Sequence, residues 1–427
     1  MTLRAPGFPE ARVRERARSG TGAVFPAQEE YGNTLFGAGP TVADTGDDLE
    51  HLRLVPPVFV PYRLEKLLEL AREPTHADVG LDTDIGGLRS TLPVYVSAFG
   101  STAAAADTDL GTAVSRQAGR LGIPMVVGEN IVPVNGYRPT VRRGDSLLRR
   151  IRAYADAAPA GTGGVVVQQS TEDADTEVWN LAYSDPSVQP LIDSGRLAFE
   201  LKVGQGAKPG LGGMTMIGRG EAERLAGQYT VVDLPGADGV LRCGTPGTFT
   251  EEILRQQVRL MRNNFPRART WVKLPPGRDV GLAAATAWRA GADAVTVDGA
   301  AGGTGWAPRA FLDHVGLPLG ECLRRIEPYP NCLLVSSQMW EGVRAVKCLA
   351  LGARAVGLGR AALLAVDEAP ETGLANLVDC LALEMRLLIS ALGKYRADQL
   401  GDEDLWSCAE DRSSAGLPRA DREPVAY

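Results

Sequence analysis

Cysteine, histidine and aromatic residues are scarce in this chain, and each scarcity closes off a class of chemistry. The 427 residues include six cysteines, three histidines and only 6% aromatics. Cys243, Cys322, Cys332, Cys348, Cys380 and Cys408 form no C-x-x-C pair, so neither a zinc site nor a ferredoxin-type cluster is expected. His51, His76 and His314 are isolated in sequence, and His314 lies in Phe311-Leu-Asp-His-Val-Gly316, which reads as a structural helix end. Histidine general-base chemistry therefore has little support. Residues 1–18 are rich in Arg and contain no apolar run, so neither a signal peptide nor a membrane span is expected, and a cytoplasmic location is the default. The net charge is −7 and the basic residues are scattered, which gives no general attraction to nucleic acid or anionic membrane.

Glycine, by contrast, is plentiful at 50 residues, as suits many short turns between strands and helices. From about Leu92 onward, short β-branched or apolar runs alternate with longer Ala/Leu/Arg-rich stretches, the pattern of repeated βα units. Candidate strands cover 93–98, 124–127, 164–168, 198–203, 270–274, 294–297, 332–336 and 353–357, which makes eight. Eight in succession predict a closed α/β structure, the (β/α)8 or TIM barrel, with an N-terminal cap and a C-terminal helical extension. An open doubly wound sheet is the alternative, although no G-x-G-x-x-G turn follows an early strand. The expected domains are a cap or extension over 1–90 with a helix at 63–72, the barrel unit over 91–400, and a polar tail over 401–427. A Gly-dense insertion at 204–248 reads as a functional loop rather than a regular element.

In a barrel, the residues just beyond each strand converge on one face and carry the chemistry. The run from Lys202 to Gly213 sets two lysines, a glutamine and five glycines immediately after the fourth strand, where backbone N–H groups and ammonium charges can meet one anion. A plain glycine-rich turn is the bland alternative. Phosphate sites in barrels favour the loops after strands seven and eight, which makes Gly357, Gly359 and Arg360 phosphate candidates. Lys273 ends the fifth strand and needs an electron-rich partner if buried; a salt bridge with Asp298 would supply one.

Gln205-Gly-Ala-Lys-Pro-Gly-Leu-Gly-Gly213 resembles the Q-G-A-K-P-G-x-G-G signature of the FMN-binding synthase domain of glutamate synthase. Val297-Asp-Gly-Ala-Ala-Gly-Gly-Thr-Gly305 is similar to that family's D-G-x-x-G-G-T-G turn. Gly357-Leu-Gly-Arg-Ala-Ala-Leu-Leu364, Asp82-Thr-Asp-Ile-Gly86 and Gly128-Glu129 add further matches, and the resemblance spans roughly 48 to 400. It implies an FMN-dependent oxidoreductase acting on an amino, imino or 2-oxo acid through CH–NH2 chemistry, in amino-acid or specialised metabolism. FMN would be held by Ser97, Ala98, Gln168, Lys273, Gly302, Gly303, Thr304, Ser337, Gly357, Gly359 and Arg360, with Lys273 at the flavin pyrimidine edge. A dicarboxylate or amino-acid substrate would meet Lys202, Gln205, Lys208 and Glu129, with Lys273, Lys202 and Glu129 as the catalytic set; Glu129 serves equally well as a paired structural carboxylate.

The resemblance also breaks. Cys380 is the only cysteine in the helical pattern 374–392 where the family carries its cluster ligands, so no iron–sulfur cluster is expected. No cysteine follows Met1 to act as an amidotransferase nucleophile, so the expected partners are a separate electron-donor or amidotransferase protein, and an oligomer is compatible. The family's S-G-G-I turn reads Ser336-Ser-Gln-Met-Trp-Glu-Gly342 here, setting Gln338, Met339 and Trp340 beside the expected phosphate. That departure keeps open a flavin-free barrel enzyme or a noncatalytic subunit of an amidotransferase assembly. An unrelated phosphate-sugar barrel is a further alternative.

Overall fold

The computed structural model describes residues 3–30, 34, 48–99, 109–128, 145–170, 178–206, 214–227, 229–234, 236, 239–244, 248–304, 307–327 and 331–407. Eight parallel strands close into a barrel: β1 (Val94–Phe99), β2 (Met125–Val127), β3 (Val165–Ser170), β4 (Leu197–Lys202), β5 (Arg269–Leu274), β6 (Ala294–Asp298), β7 (Cys332–Ser336) and β8 (Ala355–Leu358). Strand β8 pairs with β1, through Val356↔Val94 and Leu358↔Val96, which completes the ring and rules out the open sheet. The expected strands are all present, with ends shifted by one or two residues.

Strand side chains alternate between the two sides of the sheet. One set joins the helices in the outer core, including Val165, Val167, Phe199, Val272 and Val295. The other fills the barrel interior with Tyr95, Val126, Val166, Ala198, Trp271, Ala294, Leu334 and Ala355. Two residues further along several of these strands, the inward side chain becomes polar: Ser97, Gln168, Glu200, Lys273, Thr296 and Ser336. The lower half of the barrel is thus a packed apolar core and the upper half a buried polar layer, at the end from which the βα loops emerge.

An antiparallel hairpin, Thr83–Ile85 with Leu88–Ser90, lies against the lower end. Its Ile85 and Leu88 join the interior cluster. Gly86 has φ 57, and a Cβ there would lie 2.6 Å from the Trp271 indole nitrogen, which donates to the Gly86 carbonyl at 3.1 Å. Only glycine satisfies both the left-handed backbone and that close approach.

The N-terminal residues form an arm along the barrel flank. Helix α1 (Glu10–Ser19) packs on α2 (Arg360–Glu368) and α3 (Gly373–Ala391). Arg14 bridges Asp367 at 2.8 Å and Glu368 at 3.0 Å, Arg18 meets Glu368 at 2.6 Å, and Arg16 pairs with Glu384. Residues Arg53–Leu54 pair antiparallel with Leu405–Trp406. The expected helix at 63–72 runs instead over Pro61–Leu70, because Pro61 fits the first helical turn and Ala71 ends it with φ 53.

The insertion corrects the sequence expectation. It holds a three-stranded antiparallel sheet, Met214–Ile217, Val240–Cys243 and Thr230–Asp233, with a short helix at Arg219–Leu225. Its apolar and β-branched segments pair with one another across the intervening glycines, giving the excursion regular structure of its own.

Candidate functional site

The polar layer is one connected cluster. Lys273 on β5 and Asp298 on β6 form an ion pair at 3.1 Å, with both side chains no more than 5% exposed. Ser336 on β7 donates to Asp298, and the Ser97 hydroxyl on β1 reaches Ser336 at 3.4 Å. Beside this line, Glu200 on β4 accepts from Gln168 on β3 at 2.5 Å and from Thr296 on β6 at 2.8 Å. Five of the eight strands supply Lys273, Asp298, Ser336, Glu200 and Gln168, and their parallel register is what sets these groups side by side.

Burial raises the Glu200 carboxyl above the ordinary carboxylate range, and the Lys273 ammonium opposes that shift. Tyr95 lies beneath this layer with its hydroxyl fully buried and without a well-formed hydrogen bond. Burial, then Glu200 and Asp298, hold it well above the usual phenol value. Lys273 therefore has Asp298 as a salt-bridge partner, and the Gln168 amide donates to Glu200.

A second group forms at the rim. Gln205, just beyond β4, donates to the Thr304 hydroxyl at 3.1 Å, so a proposed substrate residue and a proposed flavin residue meet. A Cβ on Gly206 would stand 3.2 Å from the Gly302 carbonyl. Arg360, the first residue of α2, donates to the Ala301 carbonyl at 2.6 Å, and a Cβ on Gly303 would stand 3.3 Å from its Cγ. The guanidinium thereby ties the loop after β8 to the loop after β6. Burial lowers its pKa from the usual arginine value. Ser337 is buried, with a hydroxyl that has no hydrogen-bond partner, while its carbonyl accepts from Arg344 at 3.0 Å.

Other expected residues have simpler settings. Lys202 is buried at the end of β4, and Ala98 is half-buried against the interior cluster. Gly357 is part of β8, and a Cβ there would lie 2.6 Å from the Tyr95 ring, so packing alone requires glycine at this position. Gly359 caps α2. Glu129 and Lys208 lie outside the described residues. Sequence reasoning passed over Glu200, Thr296, Ser336 and Tyr95. The signal for Glu200 was its parity: it precedes Lys202 by two, so the two share the inward face.

The residue set suits FMN: a half-buried guanidinium, an orphaned Ser337 hydroxyl and close-packed glycine turns at one end, and a buried cation with amide and hydroxyl groups at the other. Among the described residues, no three His, Cys, Asp or Glu side chains group so as to hold a metal ion.

A family model described as a conserved region in glutamate synthase matches residues 149–369, more than half of the chain. The chain belongs to the glutamate synthase family. Among relatives in that family, an archaeal-type glutamate synthase of Dehalococcoides mccartyi is 33% identical over 186 residues, covering 41% of this chain and 36% of the relative. A glutamate synthase large subunit-like protein of Rhizobium meliloti is 30% identical over 270 residues, covering 61% of this chain and 59% of the relative. The chain thus spans less than two thirds of the length of these relatives. Among solved structures, (S)-mandelate dehydrogenase from Pseudomonas putida aligns over 94% of this chain and 99% of its own, with a TM-score of 0.54 and 19% identity. A flavocytochrome b2 with pyruvate bound aligns over 89% of this chain and 84% of its own, at TM-score 0.52 and 16% identity. These two likenesses bear on the barrel fold alone. Among the described residues, no helix is long and apolar enough to cross a membrane.

Proposed function

We propose that this glutamate synthase family member is an FMN-dependent oxidoreductase that acts in the cytoplasm on an amino, imino or 2-oxo acid, in amino-acid or specialised metabolism. The observation that carries this reading is the buried polar layer around Lys273 and Asp298 at the loop-bearing end of the barrel. FMN, when bound, supplies two-electron transfer. Arg360, Gly359, Ser337 and the turn of Gly302, Gly303 and Thr304 would hold its phosphate end, with Gly357 packing below. Ser97, Ala98, Gln168 and Lys273 would line its ring.

Lys202, Gln205, Lys208 and Glu129 would hold a dicarboxylate, since lysines on neighbouring positions suit two carboxylates. Lys273 keeps a positive charge in the low-dielectric layer and Asp298 fixes its position, so negative charge arriving beside it is stabilised without reorganisation. Glu200 retains its proton to higher pH than an exposed carboxyl and can hold one within the layer. Lys202, Lys273 and Glu129 remain the proposed catalytic set.

Electrons or ammonia would come from a separate electron-donor or amidotransferase protein, and the chain would need no iron–sulfur cluster of its own. Residues 91–400 form the proposed catalytic unit, 1–90 its cap and 401–427 a polar tail. The test is the visible spectrum of the purified protein before and after FMN addition and removal of excess, with mass identification of released cofactor. A retained two-band flavin spectrum that bleaches with a candidate donor supports the reading. A colourless protein that retains no FMN refutes it and moves the assignment to a flavin-free barrel or a noncatalytic amidotransferase subunit.

A further inference from the structure

The turn after β7 and the residue that opens α2 both meet the N-terminal arm. The Phe8 ring is buried, with the Arg360 guanidinium 4.6 Å from its centroid. Next to it, the Gly7 carbonyl accepts from the Gln338 amide at 3.5 Å, and Gln338 holds φ 54, a left-handed backbone that glycine adopts more readily. Trp340 is buried under α1, with the Arg12 and Arg16 guanidinium carbons 5.6 and 4.9 Å from its ring centroid. Two of the residues that break the family's small-residue turn, Gln338 and Trp340, are therefore docking points for the arm.

We propose that the arm is the outer wall of the cofactor's phosphate subsite and that Phe8 is a positioning residue for Arg360. This rests on the FMN reading above. A guanidinium can swing through many rotamers; the Phe8 ring and the Ala301 carbonyl both engage Arg360 and restrict that freedom. Among the described residues, burial is the cause of the shift in its pKa. A cation held in place this way binds an anion with little further ordering. The ion pairs of Arg14, Arg16 and Arg18 with α2 and α3 hold the arm, and with it Phe8, in register.

The test titrates the full chain with FMN, followed by fluorescence, and with inorganic phosphate, followed by calorimetry. Four proteins are compared: wild type, Phe8→Ala, Phe8→Tyr and Leu254→Ala. Leu254 is buried on the helix Glu251–Asn264, so its truncation costs stability without touching the arm. Phe8→Ala should weaken both ligands by about tenfold, the range of a desolvated cation–π contact. Phe8→Tyr should restore them, and Leu254→Ala should lower the melting temperature with affinities unchanged. Unaltered binding in Phe8→Ala, or equal weakening in Leu254→Ala, overturns the proposal. Phosphate binding that depends on Phe8 in a protein that takes no FMN leaves the arm's role standing and removes the cofactor reading. A wild type that binds neither ligand removes both.

Discussion

Replacing Lys273 by methionine tests the buried polar layer most directly. The side chains of Lys273 and Asp298 are 5% and 4% exposed, so water cannot take over for a lost partner. In Lys273→Met, Asp298 keeps the Ser336 hydrogen bond but loses its counter-charge. Orphaning one member of a buried pair costs about 3 to 5 kcal/mol, against less than about 1 kcal/mol at a surface pair. For a chain of this size that corresponds to a fall in melting temperature of roughly 3 to 6 °C. Asp298→Asn should cost less, because Glu200 remains beside the Lys273 ammonium. The double variant removes both charges of the pair and should regain at least about 2 kcal/mol of the summed losses, which is the coupling energy of the cycle. Urea unfolding at pH 7 with a common m-value measures all three. A loss below about 1 kcal/mol in Lys273→Met, or strict additivity in the double variant, would refute the claim that the two charges depend on each other in a dry interior. If Lys273 also serves the cofactor, the double variant recovers stability without recovering flavin reduction.

Glu200 has a raised pKa, so the folded state holds its proton more firmly than the unfolded chain does. Stability from this group is full below the ordinary value of 4.5 and is lost as pH rises from there through the raised value, so Glu200→Gln should flatten the decline of the urea midpoint between the two. Parallel profiles for the two proteins would contradict the assignment. Lys202→Ala should weaken 2-oxoglutarate binding by about 10- to 100-fold in calorimetry, the worth of one charge-assisted hydrogen bond, while leaving the fold nearly intact. Unchanged affinity in both Lys202→Ala and Lys208→Ala would rule out the dicarboxylate loop.

The barrel was legible because its strands are short, β-branched and regularly spaced, and because strand parity turns a linear run such as Leu197–Lys202 into two faces. Ser97, Gln168 and Lys273 could be selected as site residues because each ends such a run. Glu200 escaped notice because it stands between Phe199 and Leu201, where a charge looks misplaced until the Gln168 and Thr296 contacts from other strands are known. In the insertion, dense glycine obscured the pairing of Thr230–Asp233 with Val240–Cys243, since propensity does not reveal an antiparallel partner. The docking of Trp340 escaped notice for a similar reason: its partners, Arg12 and Arg16, lie more than three hundred positions away in sequence.

The separation of Arg16 from Glu384 has a consequence during synthesis. The two are 368 residues apart, and the ribosome adds about 5 to 20 residues per second. For roughly 20 to 70 seconds the arm has left the ribosome while its docking helix does not yet exist. Throughout that interval the Phe8 ring and the row of arginines behind it are exposed to the cell. A neighbouring nascent chain that has already made its own α3 then presents the same acidic surface in trans. Exchange of arms between chains made on one polysome is the assembly error to which this architecture is open.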